Sequence, residues 1–153
     1  MELLLIEDNE HKSLRIQEFL NNALKNTKVT TASSVQAGLQ KIRASAPDLI
    51  LLDMSLPAFT YTNNDNGFQH SSYAGKDILE YLDSFEINIP VIVITAFTTF
   101  GEQKNALTLE ELDSVFVKDY PEYYIGSVWY SSLEDGWKSK LLTLINSTQR
   151  ENN

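Results

Sequence analysis

The sequence lacks cysteine altogether, although it is 153 residues long. A disulfide framework, a thiolate zinc site and a cysteine nucleophile are therefore excluded. A chain without cysteine is compatible with a reducing compartment.

Positive charge is scarce. Lysine and arginine number 12 against 21 aspartates and glutamates, so the formal net charge is -9 at pH 7. Such a surface repels the phosphates of nucleic acids and anionic lipid headgroups. The composition therefore argues against direct contact with nucleic acid or membrane, and favours a basic protein surface or a divalent cation as partner.

Long apolar runs are also missing. The first apolar run covers only residues 3–6 and has no basic segment before it, so it does not read as a signal peptide. No segment approaches the roughly 20 apolar residues that a membrane-spanning helix needs. We therefore expect a cytoplasmic protein.

The sequence does contain a regular alternation of strand and helix patterns. Short, wholly apolar or β-branched runs predict buried strands at 3–6, 28–31, 49–52, 91–94 and 115–117. Helical apolar spacing follows each run: around 16–24, from the Ser33 cap to Pro47, at 75–85, within 102–113, and from about 133 onward. This order predicts an α/β fold, with a parallel sheet covered by helices on both faces.

The length and a hydrophobic content of 42% fit one globular domain, which we expect over residues 1–148. The fold class expected is a flavodoxin-like, doubly wound, five-stranded sheet of order 2-1-3-4-5. Residues 58–74 are polar and rich in asparagine, which predicts a long loop. Residues 119–131 are rich in aromatics, and we expect an extra strand or hairpin there. We expect a frayed tail at 149–153.

Polar residues stand at the carboxyl ends of the predicted strands. Glu7 and Asp8 follow the first strand, Asp53 the third, Thr95 the fourth and Lys118 the fifth. Ligands of doubly wound sheets bind outside these strand ends. Three gathered carboxylates repel one another and need a cation, and hard oxygen ligands without histidine or cysteine favour Mg²⁺.

Phosphoryl chemistry follows from that set. A carboxylate such as Asp53 can act as a nucleophile and form an acyl phosphate, while Mg²⁺ neutralises the developing charge. The Thr95 hydroxyl could hydrogen-bond a phosphate oxygen, and Lys118 could add a positive charge on the opposite side.

Four stretches resemble response-regulator receiver domains of two-component signalling. The acidic pair lies in LLLIEDNE at 3–10, and the phosphoacceptor strand in DLILLDMSLP at 48–57. The switch-threonine strand resembles PVIVITA at 90–96, where Ala96 is the small following residue, and the lysine-bearing strand resembles VFVK at 115–118.

The resemblance implies a phosphorelay switch rather than an enzyme beyond self-catalysed phosphotransfer and autodephosphorylation. Asp53 would take a phosphoryl group from a histidine kinase or phosphotransfer protein. Mg²⁺ would be held by Glu7, Asp8, Asp53 and the Ser55 backbone carbonyl. Thr95, Ala96 and Lys118 would contact the phosphate, and output would pass through contact with a downstream protein or a homodimer.

The sequence departs from the family after this pocket. Lys118 is followed by Asp119 instead of the usual proline, and Val115 stands where the family usually has its switch aromatic. The aromatics of this region either pack an added strand or form an exposed output surface; they are Phe116, Tyr120, Tyr123, Tyr124, Trp129 and Tyr130.

Two other functions stay open on the sequence. A pseudo-receiver would keep the fold and act as an interaction module without phosphorylation. An aspartate-nucleophile phosphatase usually carries a second aspartate two residues after the nucleophile, and Ser55 at that position counts against it.

Overall fold

A computed structural model describes residues 1–59, 70–71, 73–101 and 104–150. Five parallel strands form its sheet, in the order β2-β1-β3-β4-β5. The strands are β1 (Glu2–Ile6), β2 (Lys28–Ala32), β3 (Leu49–Leu52), β4 (Val91–Thr95) and β5 (Tyr124–Trp129). The predicted fold class and strand order are confirmed.

Five helices cover the sheet: α1 (Glu10–Ala23), α2 (Val35–Ser45), α3 (Lys76–Ser84), α4 (Leu109–Asp119) and α5 (Gly136–Arg150). Among the described residues, no helix is both long and apolar enough to cross a membrane.

Alternation along the central strands divides the apolar residues between two cores. Leu4 and Ile6 point to the core that includes α2, α3 and α4, whereas Leu3 and Leu5 point to the core beneath α1 and α5. Successive side chains of a strand face opposite sides, so a strand covered on both faces is apolar throughout. The short, wholly apolar runs of the sequence are explained by this double burial.

The fifth strand was predicted at the wrong place. Residues 115–117 lie inside α4, which begins at a capping box in which Thr108 and Glu111 exchange hydrogen bonds. Phe116 is buried and Val117 is exposed, as the helical period of α4 requires. The β-branched residues on either side of Phe116 favour a strand, but the capping box starts a helix here.

The aromatic segment supplies the missing strand. β5 lies within 119–131, so this segment is the fifth strand of the sheet and not an addition to it. The helix predicted within 102–113 begins only at Leu109, and residues 102–103 lie outside the described part of the chain.

Smaller boundaries also differ from the predictions. The N-cap of α2 is Ser34, whose hydroxyl accepts from the Ala37 amide, and not Ser33. Most of the loop predicted at 58–74 lies outside the described residues, but Leu56–Pro57 pairs antiparallel with His70–Ser71 at its base. The helix predicted at 75–85 is confirmed as α3, with Gly75 and Phe85 as its caps. The frayed tail was predicted at 149–153, but residues 149–150 belong to α5, and residues 151–153 lie outside the described part of the chain.

Polar contacts fasten α4 to β5. The Asp113 carboxylate accepts hydrogen bonds from the Tyr124 hydroxyl and, at 3.0 Å, from the Ser127 hydroxyl. Burial raises the pKa of Tyr124 above its usual range, and the Asp113 carboxylate adds to the rise. Tyr124 and Ser127 are both buried, so these hydroxyls depend on Asp113 for their hydrogen bonds.

Replacing this carboxylate will therefore destabilise the domain. We expect Asp113→Ala to lower the free energy of unfolding by about 1–3 kcal/mol, because two buried hydroxyls lose a charged acceptor. Denaturation in urea, followed by circular dichroism, measures the loss. Asp119→Ala removes an exposed carboxylate from the same helix and should change stability by less than about 0.5 kcal/mol. Equal losses in the two variants would contradict the role given to Asp113.

Candidate functional site

A cavity of about 590 Å³ opens at the carboxyl ends of β1, β3 and β4. Its lining combines residues that follow these three strands with the first turn of α1: Glu7, Asp8, Asn9, Lys12, Asp53, Ser55, Ala96 and Phe97. The predicted acidic residues thus meet at one place, where ligands of doubly wound sheets bind.

Three carboxylates form the acidic part of the site. One ligand oxygen from each of Glu7, Asp8 and Asp53 lies within 4.8 Å of the other two. Glu7 and Asp53 are buried, and each is held by backbone amides. Glu7 Oε2 accepts from the Asp8 amide at 3.0 Å, and Asp53 Oδ1 accepts from the Met54 amide at 2.8 Å.

Lys12 places an ammonium among these carboxylates. Its Nζ lies 2.5 Å from Glu7 Oε1 and 3.4 Å from Asp53 Oδ1, and it donates to the Ile94 carbonyl at 2.9 Å. The side chain is only 7% exposed. A buried lysine is rare unless its charge is paired, and here two carboxylates and a carbonyl surround it.

Burial determines the pKa of Glu7. Burial raises the pKa of Glu7 to about 8, and the Asp53 carboxylate adds to the rise, while the Lys12 ammonium opposes it. The upward direction follows because the loss of hydration outweighs the attraction of a single ammonium. The ionised form of Glu7 is therefore costly at this site unless a further positive charge joins it.

The donor set fits a hard divalent cation. The three acidic ligands offer only oxygen, and neither histidine nor cysteine stands among the cavity-lining residues. When all are ionised, three carboxylates and one ammonium leave two net negative charges, which a divalent cation would neutralise. Mg²⁺ accepts such a carboxylate set while keeping several waters. Ser55 lines the same cavity, where its carbonyl was predicted as a further ligand.

Lys118 is not part of this cavity. It lies in the last turn of α4 with its side chain exposed, and the residues that line the cavity do not include it. The predicted position failed because it assumed a strand at 115–117. The residue that directly follows β5 is instead Tyr130, whose amide donates to the Thr95 carbonyl at 2.8 Å.

Thr95 and Ala96 mark the end of β4. Thr95 is fully buried, and its hydroxyl accepts from the Phe97 amide at 3.1 Å. Ala96 and Phe97 line the cavity at this strand end, and Thr95 lies directly before them.

The aromatic residues mostly belong to the core. Phe116, Tyr120, Tyr123, Tyr124 and Tyr130 are buried, and Trp129 is 43% exposed. Phe116 packs edge-on against Tyr120 and Tyr124. Of the two interpretations left open, packing of a strand is therefore the one the structure supports, and a continuous exposed aromatic surface is not.

Sequence reasoning missed Lys12. A signal was present, because Lys12, Ile16 and Leu20 recur at intervals of four residues and all three are buried on one face of α1. A lysine that extends the apolar stripe of a helix is expected to have a buried partner. Asn9 caps the helix by accepting from the Lys12 amide, which fixes where this side chain leaves α1.

The sequence matches the response regulator receiver domain family over residues 3–122. The chain therefore belongs to that family, whose members are signalling switches. The matched stretch ends two residues before β5 begins.

Two relatives are similar over nearly their whole length. The uncharacterized protein y4jR of Sinorhizobium fredii is 28% identical over 142 residues, which are 92% of this chain and 94% of that protein. The Detocs response regulatory protein DtcB of Enterobacter cloacae is 25% identical over 149 residues, which are 95% of this chain and 98% of that protein.

Solved receiver domains share the fold. The receiver domain of Francisella response regulator 1452 has a TM-score of 0.65 at 16% identity, with 99% of this chain and 98% of that chain covered. A CheY-like receiver domain from Methanospirillum hungatei also has a TM-score of 0.65 at 16% identity, with 99% and 95% covered. At this identity the likeness concerns the fold alone.

Gly75 allows α3 to approach the carboxyl end of β3. A Cβ on Gly75 would lie 2.5 Å from the Asp53 carbonyl oxygen and 2.9 Å from Met54 Sδ. We expect Gly75→Ala to lower the free energy of unfolding by about 1–3 kcal/mol, because backbone must move to admit the methyl group. Thermal unfolding measures this loss.

Gly136 provides the matched control, because a Cβ there would meet nothing within 4 Å. Gly136→Ala should leave stability unchanged or raise it by up to about 1 kcal/mol. A Gly75→Ala protein as stable as Gly136→Ala would show that α3 tolerates displacement from Asp53.

Proposed function

We infer that this chain is a phosphorelay switch in which Asp53 accepts a phosphoryl group with the help of Mg²⁺. The observation that carries this proposal is the meeting of Glu7, Asp8 and Asp53 in one cavity of a receiver-family chain. A buried site of this charge has no evident structural purpose, because apolar residues would stabilise the strand ends at lower cost.

The Asp53 carboxylate is suited to act as the nucleophile. It follows β3, the middle strand of the sheet, and the Met54 amide holds one of its oxygens. In the transfer, an Asp53 oxygen forms a bond to phosphorus as the bond from phosphorus to the donor nitrogen breaks. The leaving imidazole of the donor histidine keeps the electron pair of that bond. Mg²⁺ held by the three carboxylates and the Ser55 carbonyl supplies charge neutralisation when bound.

The remaining parts of the proposal follow the family. The donor would be a sensor histidine kinase or a phosphotransfer protein in the cytoplasm, and output would pass by contact with a downstream protein or within a homodimer. The chain would catalyse no more than its own phosphorylation and dephosphorylation. The receiver domain would extend over residues 1–148, because β5 and α5 complete the sheet and its cover. The name of the similar DtcB protein, a response regulatory protein, agrees with this role.

A pseudo-receiver is the second candidate, and a specific observation favours it. The ammonium of Lys12 pairs with both Glu7 and Asp53, and this ion pair alone could hold the site together. In that case the domain would act by protein contact, and Asp53 would stay unmodified.

Acetyl phosphate, a small phosphodonor, distinguishes the two. We expect wild type incubated with acetyl phosphate and Mg²⁺ to gain the mass of one phosphoryl group, because the Asp53 carboxylate lines the open cavity and can act as a nucleophile. Intact-mass spectrometry follows the gain. Asp53→Asn should gain none, whereas Asp119→Asn, at an exposed position of α4, should be labelled like wild type. No labelling of wild type would favour the pseudo-receiver.

Mg²⁺ should also stabilise the fold. At ten times its dissociation constant, a ligand that binds only the folded state adds about 1.4 kcal/mol to the free energy of unfolding. We expect that gain for wild type in thermal unfolding with MgCl₂, compared with NaCl at equal ionic strength. Asp8→Asn should lose most of it, and Asp119→Asn should keep it. An equal gain in Asp8→Asn would rule out the three-carboxylate site.

A further inference from the structure

We propose that Lys12 supplies the ammonium that contacts the phosphoryl group on Asp53, in place of a lysine at the end of the fifth strand. This inference rests on the proposed phosphoacceptor function. It assigns to α1 a charge that the family resemblance placed on the last strand.

The position after β5 cannot supply this charge. Tyr130 stands there, buried, with its amide bonded to the Thr95 carbonyl at the end of β4. Its hydroxyl accepts from Arg15 Nη1 at 2.9 Å, so that the ring is fixed from both ends. A neutral phenol at this position leaves the phosphoryl group without a cation from β5.

Lys12 brings an ammonium to Asp53 from α1 and not from β5. Its Nζ lies 5.6 Å from the centroid of the Tyr130 ring, on the side of Asp53 that faces β4, where it donates to the Ile94 carbonyl. Asp8 follows β1, the strand that flanks β3 on the side away from β4. Among the described residues that line the cavity, Lys12 is the cation.

Binding of a divalent cation would let the Lys12 ammonium exchange its carboxylate partners for a phosphoryl oxygen. Without a bound cation, the ammonium balances Glu7 and Asp53. A divalent cation on the three carboxylates would take over that role, which leaves the ammonium to donate to a phosphoryl oxygen. Charge-assisted hydrogen bonds to phosphate are stronger than neutral ones, and Lys12 already lies 3.4 Å from the Asp53 oxygen.

The matched test compares Lys12→Met with Lys118→Met. Methionine keeps the length of either side chain and removes its charge, and Lys118 is the exposed lysine that sequence alone favoured. The probe is beryllium trifluoride, an anion that binds a carboxylate in the geometry of a phosphoryl group. Fluorine NMR reports its binding in the presence of Mg²⁺, and calorimetry reports Mg²⁺ binding without it.

We expect wild type and Lys118→Met to bind beryllium trifluoride equally, and Lys12→Met to bind it at least about tenfold more weakly. Mg²⁺ affinity of Lys12→Met should be unchanged or higher, because a competing positive charge has gone. This split separates a phosphate contact from a merely structural lysine, whose loss would weaken both ligands together.

Three results would overturn the inference: beryllium trifluoride binding by Lys12→Met at wild-type strength, joint loss of both ligands in that variant, or no binding by wild type. The first two leave Asp53 labelling of wild type by acetyl phosphate intact. Failure of that labelling, with beryllium trifluoride still bound through Lys12, would instead remove the phosphorelay function and keep the anion contact.

Discussion

The ion pair of the Lys12 ammonium with Glu7 and Asp53 is the interaction on which the rest of the site depends. Two buried carboxylates at neighbouring strand ends are costly, because burial removes their hydration and their negative charges repel each other. Here the cost is visible as the raised pKa of Glu7. The Lys12 ammonium, 2.5 Å from Glu7 and 3.4 Å from Asp53, offsets part of this cost. A divalent cation would offset more of it.

Backbone groups, as well as side chains, hold the charged residues of the site in position. The Asn9 cap fixes the start of α1, and the amides of Asp8 and Met54 hold the Glu7 and Asp53 carboxylates. Gly75 lets α3 lie directly against the Asp53 carbonyl. Because the strands beneath are buried on both faces, the polar groups concentrate at their carboxyl ends. A rigid apolar sheet thus presents a strongly charged edge.

The sequence allowed four of the five strands, the strand order and the three carboxylates to be predicted, because each depends on a recognisable pattern. An apolar run that stops at an acidic residue identifies both a buried strand and its functional end, as at Asp53. The cation could not be located in the same way. Lys118 follows a run that resembles a strand, but the capping box of Thr108 and Glu111 makes it a helix. Lys12 lies on a buried helix face and not at a strand end, so the strand-end pattern does not point to it.

Because the ammonium in the pocket comes from Lys12, the helix α1 contacts the pocket directly. The Lys12 ammonium lies over the Tyr130 ring, and Arg15, one turn further along α1, hydrogen-bonds the Tyr130 hydroxyl. Tyr130 packs in turn on Trp137 of α5, at 5.2 Å between centroids. The polar contacts of α4 lie elsewhere, with Tyr124 and Ser127. If Asp53 accepts a phosphoryl group as proposed, the added charge would act first on α1 and α5, because the neighbours of the ammonium belong to these helices and to Tyr130 beside them. Among the described residues, none from α4 lines the cavity that holds the ammonium, so the positive charge there does not depend on Lys118.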